Sequence, residues 1–158
     1  MISLTLKRGF VLIGCFLPVV LGIKAIINGE IRVYFNSTDS LPHTVYIGLK
    51  SEPLVFARGH YVAFIHPRYP NHLLIKQIKG VPGEGVNVQD GQLRIGEETF
   101  PLLNQTKDGT PLHPLKTPMI PHDCVFVAGT NPRSFDSRYE EFGLIHPSQI
   151  KGRVWPLF

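Results

Sequence analysis

After residue 30 the chain shows no helical periodicity of any length. Its apolar residues recur instead at every second position in short runs. Such alternation places successive side chains on opposite faces of an extended strand, so a chain built from these runs must form sheet. Ile31-Arg-Val-Tyr-Phe35 alternates, and Thr44–Gly48, Tyr61–Ile65, Leu73–Ile78, Cys124–Ala128 and Gly152–Trp155 read as further strands. Val86 to Ile95 holds two short strands around Asp90-Gly91, a dipeptide that favours a tight hairpin turn. The 15 glycines and 14 prolines in 158 residues suit many strands joined by turns. Residues 104–122 are polar, with prolines at 111, 114, 118 and 121, and read as an extended surface loop. The expected class is all-β, in one domain large enough to bury a core.

The exception to this pattern precedes residue 30. Gly9 to Ile23 carries no charge, and Lys24 intervenes before Ala25-Ile-Ile27. As a helix, 9–27 would reach about 28 Å, close to the ~30 Å hydrocarbon thickness of a bilayer. Lys24 lies near one end, where it can snorkel to the interface, and Pro18 is tolerated in lipid. Lys7 and Arg8 precede the span. The expectation is a short cytoplasmic tip and one transmembrane helix within 1–27, then an extracytoplasmic domain over 28–158. A cleaved signal peptide competes with this reading. The following Lys24-Ala-Ile-Ile-Asn-Gly lacks a small-x-small site, which favours a retained anchor.

Several functions are set aside. The net charge is +4, yet Lys and Arg form no cluster and no DNA-binding motif is visible. No nucleic-acid partner is expected, and the charge suits residence beside an anionic membrane surface. Cys15 and Cys124 are too few for a disulfide framework and read as free thiols. His60, His66 and His72 recur every six residues across a proline-containing turn. They read as surface or partly buried histidines, and neither metal nor cofactor is expected. Asn36-Ser-Thr and Asn104-Gln-Thr fit the glycosylation pattern, but the first overlaps the candidate site described next. Gly80-Val-Pro-Gly-Glu-Gly is followed by no Gly-Lys-Ser/Thr and reads as a turn, not a phosphate loop.

Serine is a weak nucleophile until a neighbouring base takes its proton. The seven histidines sit in no matching motif, and no Gly-x-Ser-x-Gly elbow is present. A lysine can replace histidine only when neutral, so desolvation must lower its pKa from ~10.4. In Leu73-Leu-Ile-Lys76-Gln-Ile-Lys79-Gly, residues two apart share a face. Lys76 therefore lies with Leu74 and Ile78, whereas Lys79 lies with Gln77.

Three segments carry a resemblance: Asn36-Ser-Thr-Asp-Ser40-Leu-Pro42, Leu73 through Glu84, and Gly129-Thr-Asn-Pro-Arg-Ser134-Phe-Asp136-Ser-Arg138-Tyr139. In order and spacing they resemble the signal peptidase I family, membrane-anchored proteases with a serine nucleophile and a neutral lysine base. Ser40-Leu-Pro and Ser134-Phe-Asp-Ser-Arg138-Tyr look most like its TraF-type branch, which processes pilin in bacterial conjugation. The resemblance implies a signal-peptidase-like β-rich fold with Ser40 as nucleophile and Lys76 as general base. It also implies an oxyanion hole from the Thr38 hydroxyl and the Ser40 backbone N–H. Ser134 would orient the lysine amine, and Asp136 and Arg138 would support the site. Gln77 departs from the pattern, since many relatives carry arginine there.

The implied substrate is a translocated precursor, a conjugative pilin in the TraF-type branch, where the product can also be cyclised. A small residue such as Ala is expected just before the cut. Implied partners are membrane lipid and proteins of a conjugation apparatus. The implied location is the bacterial inner membrane, with the catalytic domain in the periplasm. The alternatives are a general signal peptidase I-like enzyme, a non-catalytic assembly factor of a type IV secretion or conjugation apparatus, and a LexA-like self-cleaving regulator. Retention of Ser40, Lys76, Asp136 and Arg138 argues against the assembly factor. The apolar segment, without a DNA-binding module, argues against the regulator.

Overall fold

The structure is a computed structural model that describes residues 18–50 and 55–158. Residues 9–17 of the expected span, and Cys15 with them, lie outside the described residues. Residues 18–27 are helical, and Val19, Leu21, Ile23 and Ile27 on this stretch are exposed. Among the described residues no helix is long and apolar enough to cross a membrane.

Apart from a 3-10 turn at Pro147–Gln149, the regular structure after residue 30 is strand, as the alternation predicts. The strands are β1 (Ile31–Phe35), β2 (Val45–Leu49), β3 (Tyr61–Ile65), β4 (Leu73–Gly80), β5 (Val86–Gln89), β6 (Gln92–Ile95), β7 (Glu98–Pro101), β8 (Phe126–Ala128) and β9 (Ile150–Pro156). A six-stranded sheet runs in the order β1-β2-β9-β3-β4-β8, and a three-stranded sheet in the order β5-β6-β7. Every pairing is antiparallel. The turn between β5 and β6 has Asp90 at φ 51 and Gly91 at φ 72, with Gln89 opposite Gln92. Two successive positive φ values define the twist-matched hairpin turn that Asp-Gly favours. Strand β7 was not among the expected strands: it is four residues long, ends in proline and buries only Phe100.

Alternation along β4 divides the core. Leu74, Lys76 and Ile78 share one face with Val62 and Phe64 of β3, and there Ile78, Val62 and Phe64 pack with Phe142 and Ile145. Ile75 points the other way, against Leu41, Tyr46, Ala63 and Val154. A third cluster joins the small sheet to β8 through Leu93, Ile95, Phe100, Ile120 and Phe126. Each such buried aliphatic or aromatic side chain contributes about 1.5–3 kcal/mol. At the seam, Arg58 pairs with Glu84 at 2.7 Å and Glu98 at 2.9 Å, and Lys79 pairs with Glu98 at 2.8 Å.

Residues 104–122 hold no named strand or helix and are mostly exposed, as the surface-loop expectation has it, but the loop is anchored at several points. Leu112 and Ile120 are buried, and bridges join Gly85 to Met119 and Pro114 to Tyr139. Proline lacks an N–H but keeps its carbonyl, and Pro118 O accepts from Val86 N at 2.9 Å. The segment is thus strapped across the small sheet.

One feature of the pairing positions the site. Strand β8 covers β4 only through Gln77, Ile78 and Gly80. Residues 73–76 pair with β3 alone and present an open strand edge.

Candidate active site

The loop between β1 and β2 is folded by Asn36. Its Nδ2 donates to Thr38 O at 2.9 Å and His43 O at 3.2 Å, and its Oδ1 accepts from Thr38 N at 3.2 Å. An asparagine that bonds the backbone two residues ahead is a turn former. Leu41 drives into the core at 5% exposure, which leaves Ser40 at the surface of that core at 8%. A second loop, after β8, clamps the same residue. Thr130 N donates to Ser40 O at 2.9 Å, and Asn131 Nδ2 donates to Asp39 O at 3.1 Å.

Lys76 enters from β4 on the face shared with Leu74 and Ile78. Its side chain is 6% exposed, and Nζ donates to Ser134 Oγ at 2.7 Å. Burial pushes the amine down from its ordinary 10.5 to about 8; Asp136 opposes the shift and Arg138 assists it. Desolvation is the largest cause, and the two nearby charges act in opposite directions.

Behind the lysine, Asp136 and Arg138 form a buried pair. Arg138 Nε donates to Asp136 Oδ1 at 2.7 Å and Nη2 to Oδ2 at 2.8 Å, in a bidentate clasp. The remaining guanidinium donors hold the 131–134 turn: Nη1 reaches Pro132 O at 2.9 Å, and Nη2 reaches Asn131 O at 3.1 Å and Ser134 O at 2.9 Å. Asp136 Oδ2 also accepts from Gly129 N at 2.9 Å. The pair therefore fixes the turn that presents Ser134 to Lys76. Its attachment point is Gly129, where a Cβ would lie 2.5 Å from both Ser40 O and Ser134 Oγ.

A cleft of about 700 Å³ opens over these groups, lined by Thr38, Ser40, Lys76 and Ser134, with Leu74 and Phe135 among its apolar walls. Thr38, Ser40, Lys76 and Ser134 line the cleft, and Asp136 and Arg138 are buried behind it. The hydrogen bonding adds detail that the sequence does not show. Thr38 Oγ1 donates to Asn36 Oδ1 at 2.9 Å and lies 2.8 Å from Ser40 Oγ. A hydroxyl has one proton, so Ser40 is the donor in the second contact. In this arrangement Ser40 Oγ is bonded to Thr38 and Lys76 Nζ to Ser134.

Four contributors were missed in the sequence reading. Gly129 and Asn131 lie within one of the three resembling segments and Asn36 opens another, but the sequence assigns none of them a role in the site. The place of Asn36 two residues before Thr38 was the available turn signal. His66 was read as surface or partly buried; it is 6% exposed, with Nε2 at 2.8 Å from Phe142 O. A lone histidine at a strand end carries no sequence signal for such burial.

The family model for "Signal peptidase, peptidase S26" matches residues 7–158. Among solved structures, a signal peptidase I from Enterococcus faecalis V583 is similar at 26% identity and a TM-score of 0.46. The match covers 65% of this chain and 98% of that one. No curated protein matches the chain.

Proposed function

Because this chain belongs to the peptidase S26 signal peptidase family, whose members are serine endopeptidases, we propose that Ser40 and Lys76 form its catalytic dyad. One observation carries the reading. A lysine amine with its pKa near 8 stands in the same cleft as a nearly buried serine, held by a second serine at 2.7 Å. Neutral Lys76 accepts the Ser40 proton as Oγ attacks the scissile carbonyl, and later returns it to the leaving amine. Rotation of the Ser40 hydroxyl away from Thr38 is required first. That rotation leaves Thr38 Oγ1 beside the developing oxyanion, where with the Ser40 N–H it supplies the stabilising donors once its own proton turns from Asn36. Ser134 orients the amine throughout.

The open edge of β4 suits an extended peptide, which can add to residues 73–76 as a further strand and run past both groups. The substrate class is a translocated precursor with a small residue before the cut. The TraF-like form of the Ser40 and Ser134 segments favours a conjugative pilin. The exposed apolar residues of helix 18–27, with the uncharged sequence of 9–17 before them, support a single membrane anchor with residues 28–158 as the periplasmic peptidase domain. Membrane lipid and conjugation-apparatus proteins are the partners that follow from that placement.

The test is processing of a precursor by purified full-length protein. Ser40→Ala and Lys76→Met are expected to abolish it. Lys76→Arg is expected to fail as well, because a guanidinium does not deprotonate here. Wild-type turnover by Lys76→Arg overturns the mechanism, and turnover that depends on Lys79 instead identifies the wrong lysine.

A further inference from the structure

On the Lys76 face, Leu74 and Phe135 pack with Phe142 as an apolar wall of the cleft, which Tyr69 also lines. Phe135 and Phe142 rings pack edge to face at 5.3 Å, and the wall continues into the core through Phe64, 6.2 Å from Phe142. Leu74, Phe135 and Tyr69 remain partly exposed to the cleft. Behind the wall stands His66. Its ring stacks on Phe142 at 4.4 Å and lies 5.9 Å from Tyr69. Nδ1 accepts from Arg68 N at 3.1 Å. The ring's proton is therefore on Nε2, which donates to Phe142 O at 2.8 Å. His66 thus fixes both the carbonyl and the ring of one wall residue and backs a second.

An extended peptide on residues 73–76 would point alternate side chains to opposite faces of the sheet. On one side lies Ile75, above the Leu41 cluster; on the other lies the aromatic wall. The Lys76–Ser134 bond stands on the wall side. We propose that Tyr69, Leu74, Phe135 and Phe142 form a separate subsite that takes one large apolar side chain of the substrate. His66 is its positioning residue. This rests on the peptidase reading, because the occupant is a side chain of the peptide held along β4.

The experiment measures binding, not turnover. Full-length Ser40→Ala protein in detergent micelles is titrated with nonapeptides of alanine, serine and glycine, each carrying leucine, phenylalanine or glutamate at one position in turn. At one position leucine or phenylalanine is expected to bind at least tenfold more tightly than alanine, with glutamate weaker, because burying such a side chain supplies that much. Phe135→Ser, at a partly exposed position, is expected to collapse the ratio toward one while the melting temperature stays near that of Ser40→Ala. His66→Leu, which lacks the donor to Phe142 O, is expected to lose most of the ratio, and His66→Gln, which keeps an N–H there, to retain it. Flat affinities at every position, or a ratio untouched by Phe135→Ser, overturn the subsite. A ratio untouched by His66→Leu overturns the positioning role. Failure of the dyad itself appears differently, as peptide cleavage by the Ser40→Ala protein.

Discussion

At the scale of single residues, the amine of Lys76 works against the fold that holds it. Its pKa is about 8 in the folded chain and about 10.5 in an exposed one, so at neutral pH a charged group sits where a neutral one is preferred. By ~1.4 kcal/mol per unit the penalty is on the order of 3 kcal/mol. Between about pH 8 and pH 10.5 the unfolded lysine still holds its proton while the folded one has lost it. Raising pH through that window therefore favours the folded state. Urea denaturation of wild type should show stability climbing across the window, and Lys76→Met should be flat there and more stable at pH 7. Equal slopes would mean the amine is solvated. Processing should follow the same group, rising with pH and levelling off above about 8, since only the neutral amine accepts a proton; a rate independent of pH from 6 to 9 would remove Lys76 as the base. Gly129 is the second residue whose identity is forced. The Cβ of Gly129→Ala would meet Ser40 O and Ser134 Oγ at 2.5 Å. Overpacking there costs ~1–3 kcal/mol. The expected outcome is a modestly lower melting temperature with a far larger loss of turnover, and normal kinetics would show that the two loops are not coupled through this contact.

At the scale of elements, the site is the meeting of two loops and one strand. The 129–138 loop is set by Asp136 and Arg138, at 0% and 1% exposure. Removing one partner strands the other charge in the core at a cost of ~3–5 kcal/mol. Asp136→Ala should therefore melt markedly lower and process poorly, whereas an unchanged melting curve would show the pair to be dispensable. Much of this arrangement was legible in the sequence. The two-residue alternation located most strands, the Asp90-Gly91 turn located a hairpin, and the face shared by Leu74, Lys76 and Ile78 selected the buried lysine. What escaped had no local signal. Strand β7 buries only Phe100, and it is held by pairing with β6. The 104–122 segment looks polar, yet Leu112 and Ile120 within it are buried. His66 gains its role only from Phe142, far along the chain.

At the scale of the whole molecule, the Arg58 and Lys79 ion pairs tie the small sheet to β4, and the large sheet carries the site. Topology is the first property to test there. Protease added to spheroplasts should digest residues 28–158; protection of that region would place the domain on the cytoplasmic side and remove the pilin-processing reading. The strand order has a different consequence. Strand β9 lies between β2 and β3, so the hairpin bearing Ser40 and the hairpin bearing Lys76 are neighbours in the sheet only once the segment Ile150–Pro156 has been inserted. A chain whose last strand has not yet been made holds Ser40 and Lys76 on two hairpins that the sheet does not yet join. Formation of the proposed dyad would then wait on the end of synthesis.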